Sequence, residues 1–214
     1  MGAADDKTVA ERQGATPADP PDPWDPVVRI THWGVAFAVV ANGLVTEDGG
    51  TVHVWLGWVA LGLLVLRLVW GFVGPREARF AAFPPDPAGA LAHLRALVRG
   101  RAAPTPSHNP AGALMAYALW AMLALTTATG IAMTTDGPVG MAERRAAFER
   151  GDWAALARER SYYDDETGEI LEEVHEVAAN LLMLLALLHI AGVAAESAAL
   201  GRNLVRPMLR GPRR

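Results

Sequence analysis

The chain of 214 residues contains no cysteine. This absence excludes disulfide bonds, thiolate metal ligands, iron–sulfur clusters and any cofactor attached through thioether bonds. Charge is also sparse, because charged residues make up 20% of the chain and hydrophobic residues 51%. This balance favours a small integral membrane protein over a soluble domain, and no nucleic-acid partner is expected.

Hydrophobic residues are concentrated in four long runs, at 27–46, 52–73, 112–133 and 174–200. A helix needs about 20 apolar residues to cross the hydrocarbon core of a bilayer, and each run has that length. Charged residues, glycine or proline follow each run and indicate where the helices end. The sequence therefore predicts an all-α integral membrane protein, with four transmembrane helices forming a bundle over residues 27–200.

The segments outside the runs differ in charge, which predicts the orientation of the bundle. Residues 75–111 contain five arginines and two acids, and the tail 201–214 contains five arginines and no acid. Residues 135–173 contain eleven acids and five arginines. Basic segments stay on the cytoplasmic side, so both termini are expected in the cytoplasm and 135–173 in the periplasm, with the bundle in a bacterial inner membrane. The polar residues 1–26 are expected to form a disordered cytoplasmic tail.

Four histidines lie within the runs or at their ends, where an ionisable side chain usually has a function. In the predicted orientation, His32 lies near the cytoplasmic side and His53 near the outer side. His175 begins the fourth run, and His189 follows fourteen residues later, about 21 Å deeper and near the same helix face. Depth therefore pairs His32 with His189 and His53 with His175. Two such pairs fit two haem irons with both axial positions filled, a ligation that suits electron transfer.

Two arginines are candidates for binding haem propionates. Arg67 lies fourteen residues after His53, near the same helix face and at the depth of the cytoplasmic pair. A cation inside a span must find a partner or snorkel to the headgroups, and both interpretations are open for Arg67. Arg29, one turn before His32, offers a similar contact, although a juxtamembrane arginine more often binds lipid. Candidates for hydrogen bonds around the ligands are Thr31, Glu176, Asn180 and again Arg67.

The predicted cytoplasmic loop holds two more histidines. Asn109 and Ser107 are the candidates to cap the third helix, with Pro110 in its first turn. Alternatively, His108 and Asn109 lie near the cytoplasmic pair and provide the hydrogen bonds and proton path that a quinone needs. His93 belongs to an amphipathic segment, 87–101, that is expected to rest on the inner leaflet.

Several motifs, in order along the chain, resemble the bacterial cytochrome b561 family, which is similar to the cytochrome b subunits of nickel–iron hydrogenases and formate dehydrogenases. They are DPVVRITHW at 25–33, HVWLG at 53–57, RLVWGFVGP at 67–75, HNPAG at 108–112 and the run with two histidines at 174–200. The resemblance implies a four-helix bundle holding two haem b groups through histidines on the first, second and fourth helices. His32, His53, His175 and His189 match those positions. It also implies electron exchange with a membrane quinone and with a periplasmic redox partner.

The predicted periplasmic loop is long and acidic, with Asp164, Asp165 and Glu166 in succession and a short amphipathic helix expected around 141–160. A run of charge is usually a solvated face. It also suits a docking surface for a basic periplasmic cytochrome c, because complementary charge speeds encounter. One branch of the family oxidises superoxide and passes the electron to quinone. An acidic face repels that anion, so superoxide oxidation is the second function that the sequence suggests.

Two other classes of protein stay open. A haem-free ion or metal transporter would line its path with the four histidines and with Glu176 or Glu196, but ligands gathered at two depths argue against such a path. A structural anchor for a soluble redox subunit needs no intramembrane ligand at all. The sequence does not determine the direction of electron flow, the choice between ubiquinone and menaquinone, or the oligomeric state, a homodimer included.

Overall fold

The computed structural model describes residues 24–46, 48–101, 105, 108–134, 143, 145–154 and 166–210. All regular structure in these ranges is helical. The helices are α1 (Pro26–Leu44), α2 (Thr51–Val73), α3 (Pro87–Val98), α4 (Pro110–Met133), α5 (Glu166–Leu200) and α6 (Val205–Arg210). Two 3₁₀ turns, Arg76–Ala78 and Phe80–Ala82, lie between α2 and α3.

Four of these helices, α1, α2, α4 and α5, are long and apolar enough to cross a membrane. This confirms the predicted fold class of an all-helical membrane protein. We call the end that carries the α2–α4 connection and α6 the cytoplasmic end, following the expected orientation, and the opposite end the outer end.

The fourth helix differs from its prediction, because α5 begins at Glu166 and the apolar run begins at 174. Acidic residues at the start of a helix interact favourably with the backbone N–H groups there, so the helix continues beyond the apolar zone. At 1.5 Å per residue, the 35 residues of α5 extend about 52 Å, well over the roughly 30 Å of hydrocarbon. The first turns of α5 therefore lie outside its apolar run. Asp164 and Asp165 lie outside the described residues, as do 141, 142, 144 and 155–160 of the expected amphipathic segment, in which 145–149 are helical.

Polar side chains cap the N-termini of three of the helices. Asp25 accepts hydrogen bonds from the N–H groups of Val27 and Val28 at 2.8 and 3.2 Å. Asn109 accepts one from Gly112 at 2.7 Å, as its predicted capping role requires, and Asp86 caps α3 in the same way. The Asp25 carboxylate also accepts the indole N–H of Trp70, which joins the cytoplasmic ends of α1 and α2.

The bundle packs through small and aliphatic side chains, with α4 along α5 and α1 along α2. Its buried centre is formed by Ala38, Ala60, Leu64, Leu123 and Leu182. Many large apolar side chains point outward, including Phe37, Phe72 and Leu187. In water such a surface would be unfavourable, and in a bilayer it faces lipid tails.

The connection between α2 and α3 folds back onto the bundle. Phe83 is buried, and the ring of Phe80 lies against Gly71 of α2. Arg79 fixes the start of this connection by donating from Nε to the carbonyl of Gly74 at 2.7 Å. Aromatic side chains therefore cover the cytoplasmic end of the bundle.

Candidate functional site

The first pair of histidines joins α1 and α5 near the cytoplasmic end. The rings of His32 and His189 have centroids 6.1 Å apart and planes inclined at 62°. Both side chains are half-buried. The structure thus brings together the two histidines that depth paired on this side.

The second pair joins α2 and α5 near the outer end. The ring centroids of His53 and His175 are also 6.1 Å apart, with planes inclined at 56°. Gly57, one turn after His53, has no atom within 4 Å of the position that a β-carbon would take. Open space therefore adjoins this pair on the same face of α2.

The spacing within each pair fits a shared metal ion. Two imidazole nitrogens bound to one metal at about 2 Å each lie roughly 4 Å apart, which places the ring centroids about 6 Å apart. In the part of the chain that the structure describes, no group of three or more His, Asp or Glu side chains is suited to a bare metal ion. Each pair places two imidazole rings at a spacing that fits the ligation of one haem iron by both rings.

The outer pair has neighbours that the sequence analysis missed. Oγ1 of Thr129 lies 3.1 Å from Nδ1 of His175, and Oγ1 of Thr46 lies 3.3 Å from Nδ1 of His53. Asn42 donates from Nδ2 to the carbonyl of His53 at 3.0 Å. Threonine is common in helices, so no feature of the sequence singled these residues out.

The residues that the sequence analysis suggested as hydrogen-bonding neighbours lie elsewhere. The Thr31 hydroxyl is buried but donates to its own helix, with the carbonyls of Val27 and Val28 at 2.8 and 3.1 Å. Glu176 and Asn180 are on the exposed face of α5. Glu176 and Asn180 follow His175 by one and five residues, and at about 100° per residue they are rotated by roughly 100° and 140° away from it.

Arg67 is buried within the bundle, with 6% of its surface exposed. Its guanidinium donates from one terminal nitrogen to the carbonyl of Ala78 at 3.3 Å and lies over the ring of Trp120, 4.9 Å from the centroid. The other terminal nitrogen is buried without a hydrogen-bond partner. Arg67 therefore turns into the protein rather than snorkelling to the headgroups. Arg29 likewise has a buried Nε without a partner.

His108 packs among aromatic rings beneath the α2–α3 connection. Its ring lies 4.5 Å from that of Phe83 and meets Trp24 edge-on at 4.8 Å. Burial, followed by the positive charge of Arg67, lowers the pKa of His108 to about 4. The ring is therefore neutral at pH 7, and its buried Nδ1 has no partner.

Both the oxygen and the nitrogen of the Asn109 side-chain amide form hydrogen bonds. Its oxygen caps α4, and its nitrogen donates to Oε2 of Glu196. The other oxygen of Glu196 lies 3.6 Å from Nε2 of His93. These three side chains form a polar cluster that joins α3, α4 and α5. His93 was expected in a surface segment, and nothing in the sequence indicates its contact with Glu196.

Comparison with known proteins identifies the family. The model of the family described as prokaryotic cytochrome b561 matches residues 23–211, which include all four membrane-spanning helices and both histidine pairs. No curated protein and no solved structure gives a match. Since the family match covers most of the chain, this protein belongs to the prokaryotic cytochrome b561 family, the haem b-binding electron-transfer proteins of bacterial membranes.

Proposed function

We propose that this cytochrome holds two haem b groups, one between His32 and His189 and the other between His53 and His175. The proposal extends to electron exchange with a membrane quinone and with a periplasmic redox protein, a c-type cytochrome by preference. The observation that carries it is the equal spacing of 6.1 Å in two histidine pairs at opposite ends of the bundle.

His32 with His189, and His53 with His175, would each hold one haem b through two imidazoles, a ligation that suits electron transfer rather than substrate binding. When bound, haem b supplies a one-electron iron couple. The histidine pairs hold their ligand atoms on packed helices, which keeps the geometry constant between oxidation states. This arrangement favours relay of electrons over chemistry at the metal.

Arg67 and Arg29 are suited to the propionate groups of the cytoplasmic site. A carboxylate buried in a low-dielectric environment needs a cation or several hydrogen-bond donors. Arg67 has a buried terminal nitrogen with its donors unused, and Arg29 has a buried Nε in the same condition. Both side chains therefore have donors available for an anionic group.

His108 is the residue best suited to a quinone headgroup. A neutral imidazole donates one hydrogen bond and accepts another, as quinone and quinol oxygens require. Its Nδ1 is buried and unpartnered, and aromatic rings surround it. Asn109 has both ends of its amide engaged, so its contribution would be to hold the start of α4 beside His108.

The outer end of α5 supports a basic partner. Glu169, Glu172 and Glu173 are exposed on the helical extension that projects beyond the apolar span. A row of carboxylates attracts the lysine-rich face of a basic cytochrome and disfavours an anion such as superoxide.

The test is the haem content per polypeptide, measured by the pyridine haemochrome assay on purified protein. We expect two haem b groups in the wild type, and one in each of His32→Ala, His189→Ala, His53→Ala and His175→Ala. The double variant His32→Ala/His189→Ala should still retain one, whereas His32→Ala/His175→Ala should retain none. His93→Ala is the matched control and should retain both. A wild type with no haem, or a different pairing in the double variants, would contradict the assignment.

A further inference from the structure

Each histidine of the outer pair meets a threonine hydroxyl at its Nδ1 atom. For His175 this is Thr129 of α4, and for His53 it is Thr46 at the end of α1, at 3.1 and 3.3 Å from Nδ1. Thr129 is buried, with 6% of its surface exposed. Both imidazoles therefore contact, at Nδ1, a side chain from another helix or from its terminus.

The hydroxyl proton of Thr129 has its own acceptor. Oγ1 of Thr129 lies 2.9 Å from the carbonyl oxygen of Leu125 and 3.0 Å from that of Thr126. A hydroxyl has one proton and two lone pairs, so after donating to the backbone it can only accept from a third partner. Nδ1 of His175 must then carry the proton and donate it to Thr129. In a neutral imidazole the lone pair is then on Nε2, which is the atom available to a metal.

Thr46 places His53 in the same tautomer. Its hydroxyl donates to Asn42, whose Oδ1 and carbonyl oxygen lie 3.3 and 3.4 Å away. It therefore accepts from Nδ1 of His53. Asn42 also donates from Nδ2 to the carbonyl of His53, so the start of α2 is tied to the end of α1.

Gly130 allows His175 to pack closely against α4. A β-carbon at this position would lie 3.0 Å from Cε1 of His175, closer than ordinary van der Waals contact. The glycine lets the imidazole lie directly against α4, where the Thr129 hydroxyl reaches it. Two neighbouring residues of α4 therefore shape one side of the outer site.

The cytoplasmic pair lacks the corresponding arrangement at the threonine next to it in sequence. The Thr31 hydroxyl, adjacent to His32, is directed to the carbonyls of Val27 and Val28 in its own helix. Arg67 instead places a buried positive charge at that end of the bundle. The two sites thus differ in the groups around them although their histidine spacing is the same.

We propose that Thr129 and Thr46 are positioning residues that fix both outer imidazoles as Nδ1–H tautomers and lower the reduction potential of the outer haem. This inference rests on the proposed haem at His53 and His175. An imidazole that donates its second N–H to an oxygen acceptor is a more basic ligand, and a more basic ligand stabilises the oxidised, more highly charged iron. The hydroxyls therefore make the outer site harder to reduce than it would be without them.

The experiment is a spectroelectrochemical titration of the purified holoprotein, with the outer component identified as the one lost in His175→Ala. Thr129→Val removes the hydroxyl at nearly constant volume. We expect it to retain two haems and to change the oxidation–reduction equilibrium of the outer component about tenfold toward the reduced form, a rise of about 59 mV for a one-electron couple. The double variant Thr46→Val/Thr129→Val should shift it further.

Thr127→Val is the matched control, because Thr127 is on the same helix, is equally buried, and donates to the carbonyls of Leu123 and Ala124. It should leave both potentials unchanged. Thr129→Ser keeps a hydroxyl and should retain the wild-type potential. If Thr129→Val loses the outer haem, retention in Thr129→Ser and Thr127→Val supports the inference, whereas loss in Thr129→Ser overturns it.

An unshifted outer potential in a two-haem Thr129→Val protein overturns this inference and leaves the proposed function intact. So does an equal shift in Thr127→Val. A wild type without haem at His53 and His175 overturns both proposals together. The haem count therefore tests the proposed function, and the potential of the outer haem tests the role of the two threonines.

Discussion

The guanidinium of Arg67 lies over the indole ring of Trp120, with its Cζ 4.9 Å from the ring centroid. The ring face carries partial negative charge, so it stabilises a cation that has left water. Together with the carbonyl of Ala78, Trp120 keeps the side chain inside the bundle while one terminal nitrogen stays unpaired. A positive charge is thereby fixed beside the cytoplasmic site.

Replacing Arg67 by glutamine should lower the potential of the haem that is lost in His189→Ala. A unit charge at roughly 10 Å contributes about 1.7 kcal/mol at an effective dielectric constant of about 20, which is more than tenfold in the oxidation–reduction equilibrium. Redox titration measures this shift. Arg95→Gln, which removes an exposed arginine of α3, is the control. Equal shifts in the two variants would assign the effect to overall charge.

The low pKa of His108 predicts a pH-dependent stability. The folded value of about 4 lies below the ordinary value of about 6.5, so the unfolded chain binds the proton more readily between these limits. Stability should therefore fall as the pH drops from 6.5 toward 4, by about 3 kcal/mol in total, and should be independent of this group above pH 7. Thermal unfolding in detergent at pH 7 and pH 5 tests this. His108→Gln does not titrate and should show a smaller difference between the two pH values; an unchanged difference would show that another group is responsible.

The cluster of His93, Glu196 and Asn109 should stabilise the cytoplasmic end of the bundle. Glu196→Ala removes the acceptor of the Asn109 amide and the carboxylate that lies 3.6 Å from Nε2 of His93, and a hydrogen bond to a charged group contributes about 1.5–3 kcal/mol. We expect a lower melting temperature, with non-additive effects in the double variant Glu196→Ala/His93→Ala. Glu149→Gln breaks the exposed pair with Arg145 and should have almost no effect. Additive single and double effects would indicate that His93 and Glu196 do not interact.

Neutralising Glu169, Glu172 and Glu173 together should slow electron exchange with a basic c-type cytochrome. The same change should weaken the dependence of the rate on ionic strength. Attraction between unlike charges speeds encounter, and salt screens that attraction. Stopped-flow measurement at two salt concentrations tests both effects. Replacing the three glutamates by aspartates preserves the charge and should preserve the rate. An unchanged rate in the neutral variant would show that these glutamates face solvent and do not attract the cytochrome.

Gly71→Ala should destabilise the cover of the cytoplasmic end, because a β-carbon there would overlap the ring of Phe80. Overpacking of this kind costs about 1–3 kcal/mol. Gly62→Ala is the control, since a β-carbon at Gly62 meets no atom within 4 Å. In the double variant Gly71→Ala/Phe80→Leu, the smaller side chain at position 80 should recover part of the loss in melting temperature. Failure of this rescue would mean that the clash lies elsewhere.

The sequence was sufficient for the number of spans and for the pairing of the histidines by depth. Both follow from length, because hydrophobic runs mark the membrane and a fixed rise per residue converts chain position into depth. The start of α5 at Glu166 was missed because hydropathy reports where lipid ends and not where the helix ends. The cap at Asn109 was found because it depends on residues three positions apart.

The amino-acid sequence by itself determined the membrane class, the four spans and the two levels at which histidines can meet. Only the tertiary structure decided that Thr129 contacts His175, that Arg67 lies over Trp120, and that Glu196 joins His93 to Asn109. The physical reason is the rotation of each helix about its own axis. In a bilayer the lipid-facing and buried faces are both apolar, so the hydrophobic pattern does not fix that rotation, and packing between the helices does.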